Sequence, residues 1–237
     1  LGAPASELAF TQAWLDACIA RLADHASLWI NIPDTWAAEI VVHLKQRGLA
    51  MVNWCVWHYR FGQNTKSRFI NSKVHALYFM KDPAHPGRRW HPDAIAEISD
   101  RRAIYGDPRT EHKKEGWLEA GHRVPMDVWY GPFWGRVQGN NKERRRNHDN
   151  QLPEVYLGRV IKACTNEGDL VLDPFLGSGT TGVVARYLGR RFVGIDYTKE
   201  IAAHALERIE AGPVRADEID ATGVSSAIHP KRGPKPA

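Results

Sequence analysis

The sequence has few cysteines and no long apolar run, and these two absences exclude several classes of protein. No stretch of the 237 residues approaches the roughly 20 apolar residues that a membrane-spanning helix needs, and the N-terminus lacks the charged-then-apolar plan of a signal peptide. The three cysteines, Cys18, Cys55 and Cys164, are widely spaced and form no CxxC pair. This pattern is a poor disulfide framework and a poor zinc site. We therefore expect a cytoplasmic protein with reduced thiols and no bound metal.

No extreme of composition marks the chain as disordered. Hydrophobic residues make up 43% of the sequence and charged residues 25%, and both values are typical of globular proteins. A chain of 237 residues is long enough to bury a substantial core. It fits one large domain, or one domain with a sizeable insert.

Positive charge is concentrated in the middle of the chain. The formal net charge is +5, but residues 60–150 alone hold 18 Lys and Arg against 11 Asp and Glu, a net charge of +7. Concentrated cations with interleaved aromatic rings suit phosphate neutralisation and base stacking. A solvated basic surface over a tryptophan-rich core is the alternative. Six of the nine tryptophans lie in or beside this stretch: Trp54, Trp57, Trp90, Trp117, Trp129 and Trp134.

Changes in composition and in the order of predicted helices and strands divide the chain into four parts. Residues 1–80 alternate predicted helices and strands, which favours an α/β sheet and forms the N-terminal half of the main domain. Residues 81–150 lose that pattern and indicate an insert that depends on the main body for its stability. The regular pattern resumes over residues 151–211, which form the second half of the same domain. Residues 212–237 turn to Pro, Gly, Ser and charge, and predict a flexible tail.

Hydrophobic periodicity predicts the individual elements. We expect a first helix capped by Ser6, a second helix over residues 33–47 stopped by Gly48, and a helix from Pro153 that ends at Gly168. Further strands and helices are predicted at 27–32, 49–57, 73–80, 169–173, 180–189, 191–196 and 199–211.

The most specific local signal is the segment DPFLGSGTTG at residues 173–182. It follows an apolar strand and opens a helix, and its glycines at 177, 179 and 182 match the pattern GxGxxG. Glycines let the backbone approach a ligand closely, and an acid at the end of the next strand, here Asp196, can accept hydrogen bonds from ribose hydroxyls. The segment therefore predicts a nucleoside-type ligand at the carboxyl edge of a parallel sheet. A purely structural tight turn is the alternative.

Two features limit the chemical class of the ligand that this loop could bind. A P-loop is excluded because no Lys follows the glycines. The carboxylate of Asp173 would repel a pyrophosphate at the tip of the first strand, whereas it would attract an ammonium group. Only one βαβ unit follows the glycines, so strands that precede the motif must complete the sheet. This order is that of a permuted Rossmann-like fold.

These motifs resemble a known family. DPFLGSGTT followed by GRRFVGID is similar to the cofactor motifs of the β-class amino-methylating DNA methyltransferases, which make N6-methyladenine or N4-methylcytosine. The resemblance implies S-adenosylmethionine as cofactor and a Rossmann-like methyltransferase fold. That fold is an α/β fold with a mixed, mostly parallel sheet, permuted motif order and an inserted target-recognition region. The resemblance also implies that Asp196 binds the ribose and that these residues line the methionine and adenosine parts: Asp173, Phe175, Gly177, Ser178, Gly179 and Thr180.

The resemblance also implies that residues 1–80 are the target-base half, residues 81–150 the target-recognition insert and residues 151–211 the cofactor-binding half of the catalytic domain. It extends to three further segments. NQLPE at residues 150–154 is similar to a segment that borders the cofactor, which implies contacts from Gln151 and Pro153, although Leu152 stands where the family commonly has Lys. MDVWYGPF and KERRR resemble the closing part of the target-recognition region. FGQNTKSRFINS resembles a loop beside the flipped target base, with an ordinary polar loop as the alternative. The implied DNA-binding residues are Arg60, Gln63, Asn64, Lys66, Arg68, Asn71, Arg144, Arg145 and Arg146.

One family motif is missing from the sequence. The catalytic tetrapeptide, of the form (Asp/Asn/Ser)-Pro-Pro-(Tyr/Phe/Trp), is expected before the first helix, yet the 237 residues contain no Pro-Pro pair. No residue is therefore assigned the central catalytic role. Because the chain also lacks an initiator Met, we expect that it begins just downstream of the motif. A degenerate protein that only binds is the alternative.

The combined prediction is a site-specific DNA methyltransferase of the restriction–modification kind. It would transfer a methyl group to the amino group of a flipped base, with adenine N6 favoured over cytosine N4. Its expected partner is double-stranded DNA, a homodimer is compatible with the resemblance, and the expected location is the cytoplasm beside the nucleoid. The alternatives from other classes are a catalytically inactive nucleic-acid-binding protein and, more distantly, a dinucleotide-dependent oxidoreductase.

Overall fold

The structure is a computed structural model that describes residues 4–60, 62–111, 118–146, 148 and 150–221. The chain divides into two compact units, the first ending at Arg89 and the second beginning at Trp90. Most of the predicted insert therefore lies in the same unit as the predicted cofactor half. Within the described ranges, no helix is long and apolar enough to span a membrane.

The first unit is a three-stranded antiparallel ladder with two helices. Its strands pair in the order β1–β3–β2, with β3 antiparallel to both neighbours. The sequence pattern predicts mostly parallel strands, but β2 and β3 are joined by a loop without a crossover helix, so β3 returns in the opposite direction. The elements are α1 (Pro4–Ile19), β1 (Ser27–Ile32), α2 (Ala37–Gln46), β2 (Ala50–His58) and β3 (Lys73–Met80).

A single apolar cluster joins the helices of the first unit to its strands. The side chain of Leu15 from α1 and those of Ile40 and Leu44 from α2 are fully buried against Leu77 and Phe79 of β3. The paired strands present alternate side chains to the same face, so the register that sets Ile30 opposite Leu77 keeps this cluster continuous. The predicted strands at 27–32 and 73–80 are confirmed at both ends.

The second unit begins with short elements and continues with regular ones. The short elements are β4 (Glu97–Ile98), α3 (Asp100–Ala103), β5 (His122–Arg123) and β6 (Val128–Trp129). The regular elements are α4 (Glu154–Cys164), β7 (Leu170–Asp173), α5 (Thr180–Tyr187), β8 (Arg191–Gly194), α6 (Lys199–Ala211) and α7 (Ala216–Asp220). Strands β7 and β8 are parallel, with Asp173 opposite Gly194. The predicted α/β class with strands of both directions is confirmed.

Buried charges and rings attach the insert segments to α4. Glu97, which is 1% exposed, accepts hydrogen bonds from Arg123 of β5 and from Arg159 of α4. The Arg159 guanidinium lies 4.4 Å from the centroid of the Trp134 ring, and Trp129 also packs beside it. These contacts join residues 97, 123, 129 and 134 to α4.

Several predicted boundaries differ from the structure, and those of α1 and α4 differ most clearly. Helix α1 begins at Pro4, so Ser6 lies inside the helix and is not its cap. Pro153 precedes α4 as its N-terminal cap residue, and α4 ends at Cys164 because Thr165 adopts an extended conformation. Gly168 lies in the following turn, with a positive φ of 81°.

The first part of the predicted flexible tail is folded. Residues 216–220 form α7, the side chain of Ile219 is 2% exposed, and Lys162 of α4 donates a hydrogen bond to the Ile219 carbonyl at 2.7 Å. The Tyr187 hydroxyl donates to Asp220. These contacts form because α4 presents a small residue, Gly158, where Ile219 packs. Residues 222–237 lie outside the described residues.

Candidate cofactor-binding site

A tight loop connects β7 to α5, and we call residues 173–180 the cofactor loop. Gly177 and Gly179 adopt positive φ angles of 49° and 77°, a conformation that favours glycine. Backbone hydrogen bonds close the loop: the Leu176 amide donates to Ile195 at 2.8 Å, and the Gly179 amide donates to Leu176 at 2.8 Å. The sequence therefore folds the loop against the end of β8, which directs the N-terminus of α5 toward the carboxyl edge of the strands.

Two carboxylates flank the cofactor loop. Asp173 ends β7, and its two oxygens accept hydrogen bonds from the Phe175 amide at 3.0 Å and from the Thr181 hydroxyl at 2.6 Å. Asp196 follows β8 and accepts from the Gly177 amide at 2.8 Å and from the Tyr197 amide at 2.8 Å. Each carboxylate oxygen has two lone pairs, so these bonds orient both groups and leave acceptor capacity for a ligand.

A buried arginine of α6 contacts the cofactor loop from the protein interior. The Nη1 atom of Arg208 donates to the Ser178 carbonyl at 2.9 Å, to the Ser178 hydroxyl at 3.1 Å and to the Thr180 hydroxyl at 2.8 Å. Its Nη2 atom donates to Glu154 at 3.0 Å. Burial lowers the pKa of Arg208, and the hydrogen bond to Glu154 opposes that shift. The guanidinium therefore joins the loop to the first residue of α4.

The predicted cofactor contacts from Gln151 and Pro153 lie in a different arrangement. The Gln151 amide donates to the Glu143 carbonyl at 2.7 Å and accepts from the Arg145 amide at 3.0 Å. We call residues 142–146, KERRR, the cationic segment. The oxygen and the nitrogen of the Gln151 side chain thus both bind backbone atoms of the cationic segment. The Glu143 carboxylate in turn accepts from the Glu154 amide at 2.8 Å. Burial raises the pKa of Glu143.

The predicted target-base loop lies in the first unit between β2 and β3, and we call residues 60–71 the target loop. The Tyr59 amide donates to the Ser72 carbonyl at 3.0 Å, and Thr65 and Arg68 form a turn within the loop. Phe69, which the sequence analysis did not single out, is 96% exposed. All six predicted DNA-binding side chains of the loop are exposed: Arg60, Gln63, Asn64, Lys66, Arg68 and Asn71.

The three arginines of the cationic segment differ in their exposure to solvent. Arg144 and Arg146 are exposed, whereas Arg145 is half-buried and donates to the carbonyls of Glu143 and Arg144. Most described tryptophans in or beside the basic stretch are buried or half-buried. Trp57, Trp129 and Trp134 are buried, Trp54 is half-buried, Trp90 is 38% exposed, and Trp117 lies outside the described residues. The alternative of a tryptophan-rich core describes these rings.

Sequence reasoning missed the buried polar network, which comprises Glu143, Glu154, Arg208 and Arg215. These residues come from four separate segments, and charged residues in helices are ordinarily read as solvent-facing. The adjacency of Glu154 to the segment NQLP was the one available hint. No periodic pattern indicates that Glu154 is fully buried.

Comparisons with known proteins identify the relatives of this arrangement. A family profile described as DNA methylase, N6_N4_Mtase, matches residues 5–207. The type II methyltransferase M2.DpnII of Streptococcus pneumoniae is 29% identical over 204 residues, which cover 85% of this chain and 67% of that protein. M.HpaI of Haemophilus parainfluenzae is 30% identical over 214 residues, which cover 90% of this chain and 62% of its own length. The chain thus spans about two thirds of these relatives.

Solved structures show the same fold at lower identity. The M1.HpyAVI–SAM complex has a TM-score of 0.59 at 22% identity, with 84% of this chain and 81% of that chain covered. The cytosine-N4-specific PvuII DNA methyltransferase has a TM-score of 0.60 at 14% identity, with 90% of this chain and 75% of that chain covered. The predicted fold class is confirmed by these neighbours.

Proposed function

Because the chain belongs to the amino-methylating DNA methylase family, an S-adenosylmethionine-dependent family, we propose that it methylates adenine N6 in a base flipped out of duplex DNA. The observation that carries this proposal is the pair Asp173 and Asp196. Asp173 ends β7, Asp196 lies two residues after the end of the parallel strand β8, and the glycine-rich loop lies between them in the sequence. When bound, the cofactor supplies an electrophilic methyl group on a sulfonium. The protein contributes binding and orientation, which supply most of the acceleration in such a transfer.

The residues present fit the cofactor. An ammonium group needs an anionic acceptor, and the half-buried Asp173 carboxylate is held in place by Phe175 and Thr181. A ribose diol needs a second acceptor, and Asp196 supplies it. The exposed rings of Phe175 and Tyr197, which are 53% and 90% exposed, offer apolar faces next to the two carboxylates. We therefore propose that the cofactor loop and Asp196 hold S-adenosylmethionine, with Gln151 and Pro153 bordering the cofactor as the family resemblance implies.

The target loop and the cationic segment supply the proposed DNA contacts. Arg60, Lys66 and Arg68 are exposed and suit phosphate contacts, while the amides of Gln63, Asn64 and Asn71 suit base edges. The exposed Phe69 ring lies among these polar groups and can stack on an unstacked base. Arg144 and Arg146 of the cationic segment extend the basic surface of the second unit, to which Arg145 contributes its charge.

Several finer points belong to the same proposal. Adenine is favoured over cytosine by analogy with the family, in which both bases are substrates. Double-stranded DNA is the proposed partner, a homodimer is compatible with the family, and the proposed location is the cytoplasm beside the nucleoid. A division into residues 1–80, 81–150 and 151–211 as target-base half, recognition insert and cofactor half is part of this proposal.

One observation favours a second candidate function. The catalytic tetrapeptide of the family is not among the 237 residues, so no residue here is assigned to hold the target amino group. A protein with the same cofactor and DNA sites that binds without methylating is therefore the second candidate.

Transfer of a labelled methyl group separates the two candidates. Protein from the intact gene is incubated with labelled S-adenosylmethionine and duplex DNA, and the DNA is digested to nucleosides. The proposal expects label in N6-methyl-2′-deoxyadenosine. Label in N4-methyl-2′-deoxycytidine would correct the base alone, and cofactor and DNA binding without label would favour the second candidate.

A further inference from the structure

The buried side chain of Arg208 directs most of its described hydrogen bonds to the cofactor loop. The residue is 4% exposed, and three of its four described hydrogen bonds leave from Nη1 to atoms of Ser178 and Thr180. The fourth leaves from Nη2 to Glu154. The planar guanidinium thus binds the loop through Nη1 and the Glu154 carboxylate through Nη2. An ammonium group cannot reproduce this arrangement.

Burial of this ion pair is by itself weak evidence for a stabilising role. Removing both charges from water is costly, and a buried ion pair is often no more stabilising than apolar residues of the same volume. The lowered pKa of Arg208 reflects that cost. A functional explanation therefore has to come from what the guanidinium contacts, which is the backbone and hydroxyls of the loop.

The surface of α6 around Arg208 is shaped to receive the cofactor loop. Ala205, Arg208 and Ile209 lie three and four residues apart and share one face of the helix. A Cβ atom on Gly179 would lie 3.0 Å from the Ala205 Cβ, and a Cβ on Gly182 would lie 2.5 Å from the Ile209 side chain. The backbone of the loop and of α5 therefore approaches α6 closely, and Arg208 fixes it there.

Glu154 and Glu143 hold the arginine in turn. The second oxygen of Glu154 accepts from the amides of Val214 and Arg215, both at 2.8 Å. Glu143 accepts from the Glu154 amide at the start of α4 and from the Arg215 side chain. Since Glu154 and Glu143 are both fully buried, the carboxylate that orients Arg208 is fixed by three segments of the chain.

We propose that Arg208 is a positioning residue for the methyl donor. It acts through Ser178 and Thr180, whose carbonyl and hydroxyl groups it holds so that the cofactor loop is preset before the cofactor binds. Preorganisation of this kind raises affinity because the loop loses less conformational entropy when the cofactor binds. The inference rests on the proposed cofactor role of the loop.

Two substitutions and a matched control test this role. Arg208→Gln removes the charge and the fork, and Arg208→Lys keeps the charge without the fork. Arg159→Gln is the control, because Arg159 is also buried and paired with a buried glutamate, Glu97, in the same unit. Each protein is titrated calorimetrically with S-adenosylmethionine, and hydrogen exchange of amides 177–181 is measured without ligand.

Arg208→Gln is expected to weaken cofactor binding about tenfold or more, since hydrogen bonds to a charged group are lost. Arg208→Lys should show a smaller loss, and Arg159→Gln should bind like the wild type. Loop amides should exchange faster in both Arg208 variants and not in the control.

Unchanged loop exchange in the Arg208 variants would overturn the inference, as would an equal loss of affinity in the Arg159 control. If Arg208→Gln does not fold, the milder lysine variant decides the same question. A wild-type protein that binds no S-adenosylmethionine would contradict the proposed function. The exchange measurement would still decide whether Arg208 presets the loop.

Discussion

The cofactor loop in the second unit is held from the protein interior by Arg208, whereas the target loop in the first unit is tied at its base and by one internal turn. Ser178 and Thr180 contact a buried guanidinium, while Arg68 and Phe69 extend into solvent. The two loops differ in composition as well as in surroundings, since the cofactor loop has no Arg or Lys and the target loop has Arg60, Lys66 and Arg68. A small cofactor needs fixed groups, and a DNA duplex needs accessible ones, so the difference in construction matches the proposed difference in ligand.

The largest expected effect comes from removing a carboxylate of the cofactor site. Asp173→Ala should weaken S-adenosylmethionine binding about 100-fold or more, because an ammonium group loses its charged acceptor. Salt-dependent DNA binding should persist, because no proposed DNA contact is removed. Calorimetry and a DNA-binding titration measure the two effects. Asp169→Ala, at the opposite end of β7, is the control and should keep wild-type affinity; equal losses in both variants would show that the site is misplaced.

The next effect tests the close packing of the cofactor loop on α6. Gly179 has a positive φ of 77°, which is strained for alanine, and the added Cβ atom would lie 3.0 Å from the Ala205 Cβ. Gly179→Ala should lower the free energy of unfolding by about 2–3 kcal/mol. Gly168→Ala is the control, because its φ of 81° is similar but no atom lies within 4 Å of the added carbon; we expect a loss of about 1 kcal/mol there. Equal losses in urea unfolding would contradict the close approach.

A smaller effect is expected from the target loop. Lys66→Ala and Arg68→Ala should each weaken DNA binding severalfold and reduce the slope of log K against log salt by about 0.9. Stability should not change, because both side chains are exposed. DNA-binding titrations at several salt concentrations measure the slope. Arg21→Ala, an exposed arginine of the same unit outside the loop, should leave the slope unchanged.

The smallest effects are opposite pH dependences in the two units. Burial raises the pKa of Glu143 above its ordinary 4.5, so its contribution to stability is present below that pH and is lost as the pH rises through the folded-state pKa. The Lys73 side chain lowers the pKa of Asp34 below its ordinary 3.8. The contribution of Asp34 is therefore present above that pH and is lost as the pH falls through the folded-state pKa.

Urea unfolding of Glu143→Gln and Asp34→Asn against the wild type, between about pH 3 and 7, checks both signs. The advantage of the wild type over Glu143→Gln should shrink as the pH rises above 4.5. Its advantage over Asp34→Asn should shrink as the pH falls below 3.8. The same sign for both variants would contradict the contrast between the units.

Local patterns predicted the elements and the position of the cofactor loop. The strands at 27–32 and 73–80 and the helix at 199–211 have the predicted limits, because apolar strand-forming runs and helical periodicity reflect burial. Gly48 ends the region of α2 with a φ of 84°, as its sequence position predicts. The antiparallel direction of β3 was not predictable from periodicity, since alternation is the same in both directions.

The support behind the cofactor loop depends on tertiary contacts and could not be predicted. Arg208 and Glu154 are separated by 54 positions and meet only after α4 and α6 pack. Gln151 was placed beside the cofactor by resemblance, whereas its amide contacts the segment around Arg145. The chain after Gly212 resembles a tail in composition, yet its amides at Val214 and Arg215 satisfy the buried Glu154.

Parallel calorimetric titrations of the wild-type protein with S-adenosylmethionine and with NAD decide which ligand the cofactor loop holds. The carboxylate of Asp173 favours a ligand with an ammonium group and disfavours a pyrophosphate. We expect one bound S-adenosylmethionine per chain and much weaker binding of NAD. Tighter binding of NAD, or no binding of S-adenosylmethionine, would contradict the proposed site.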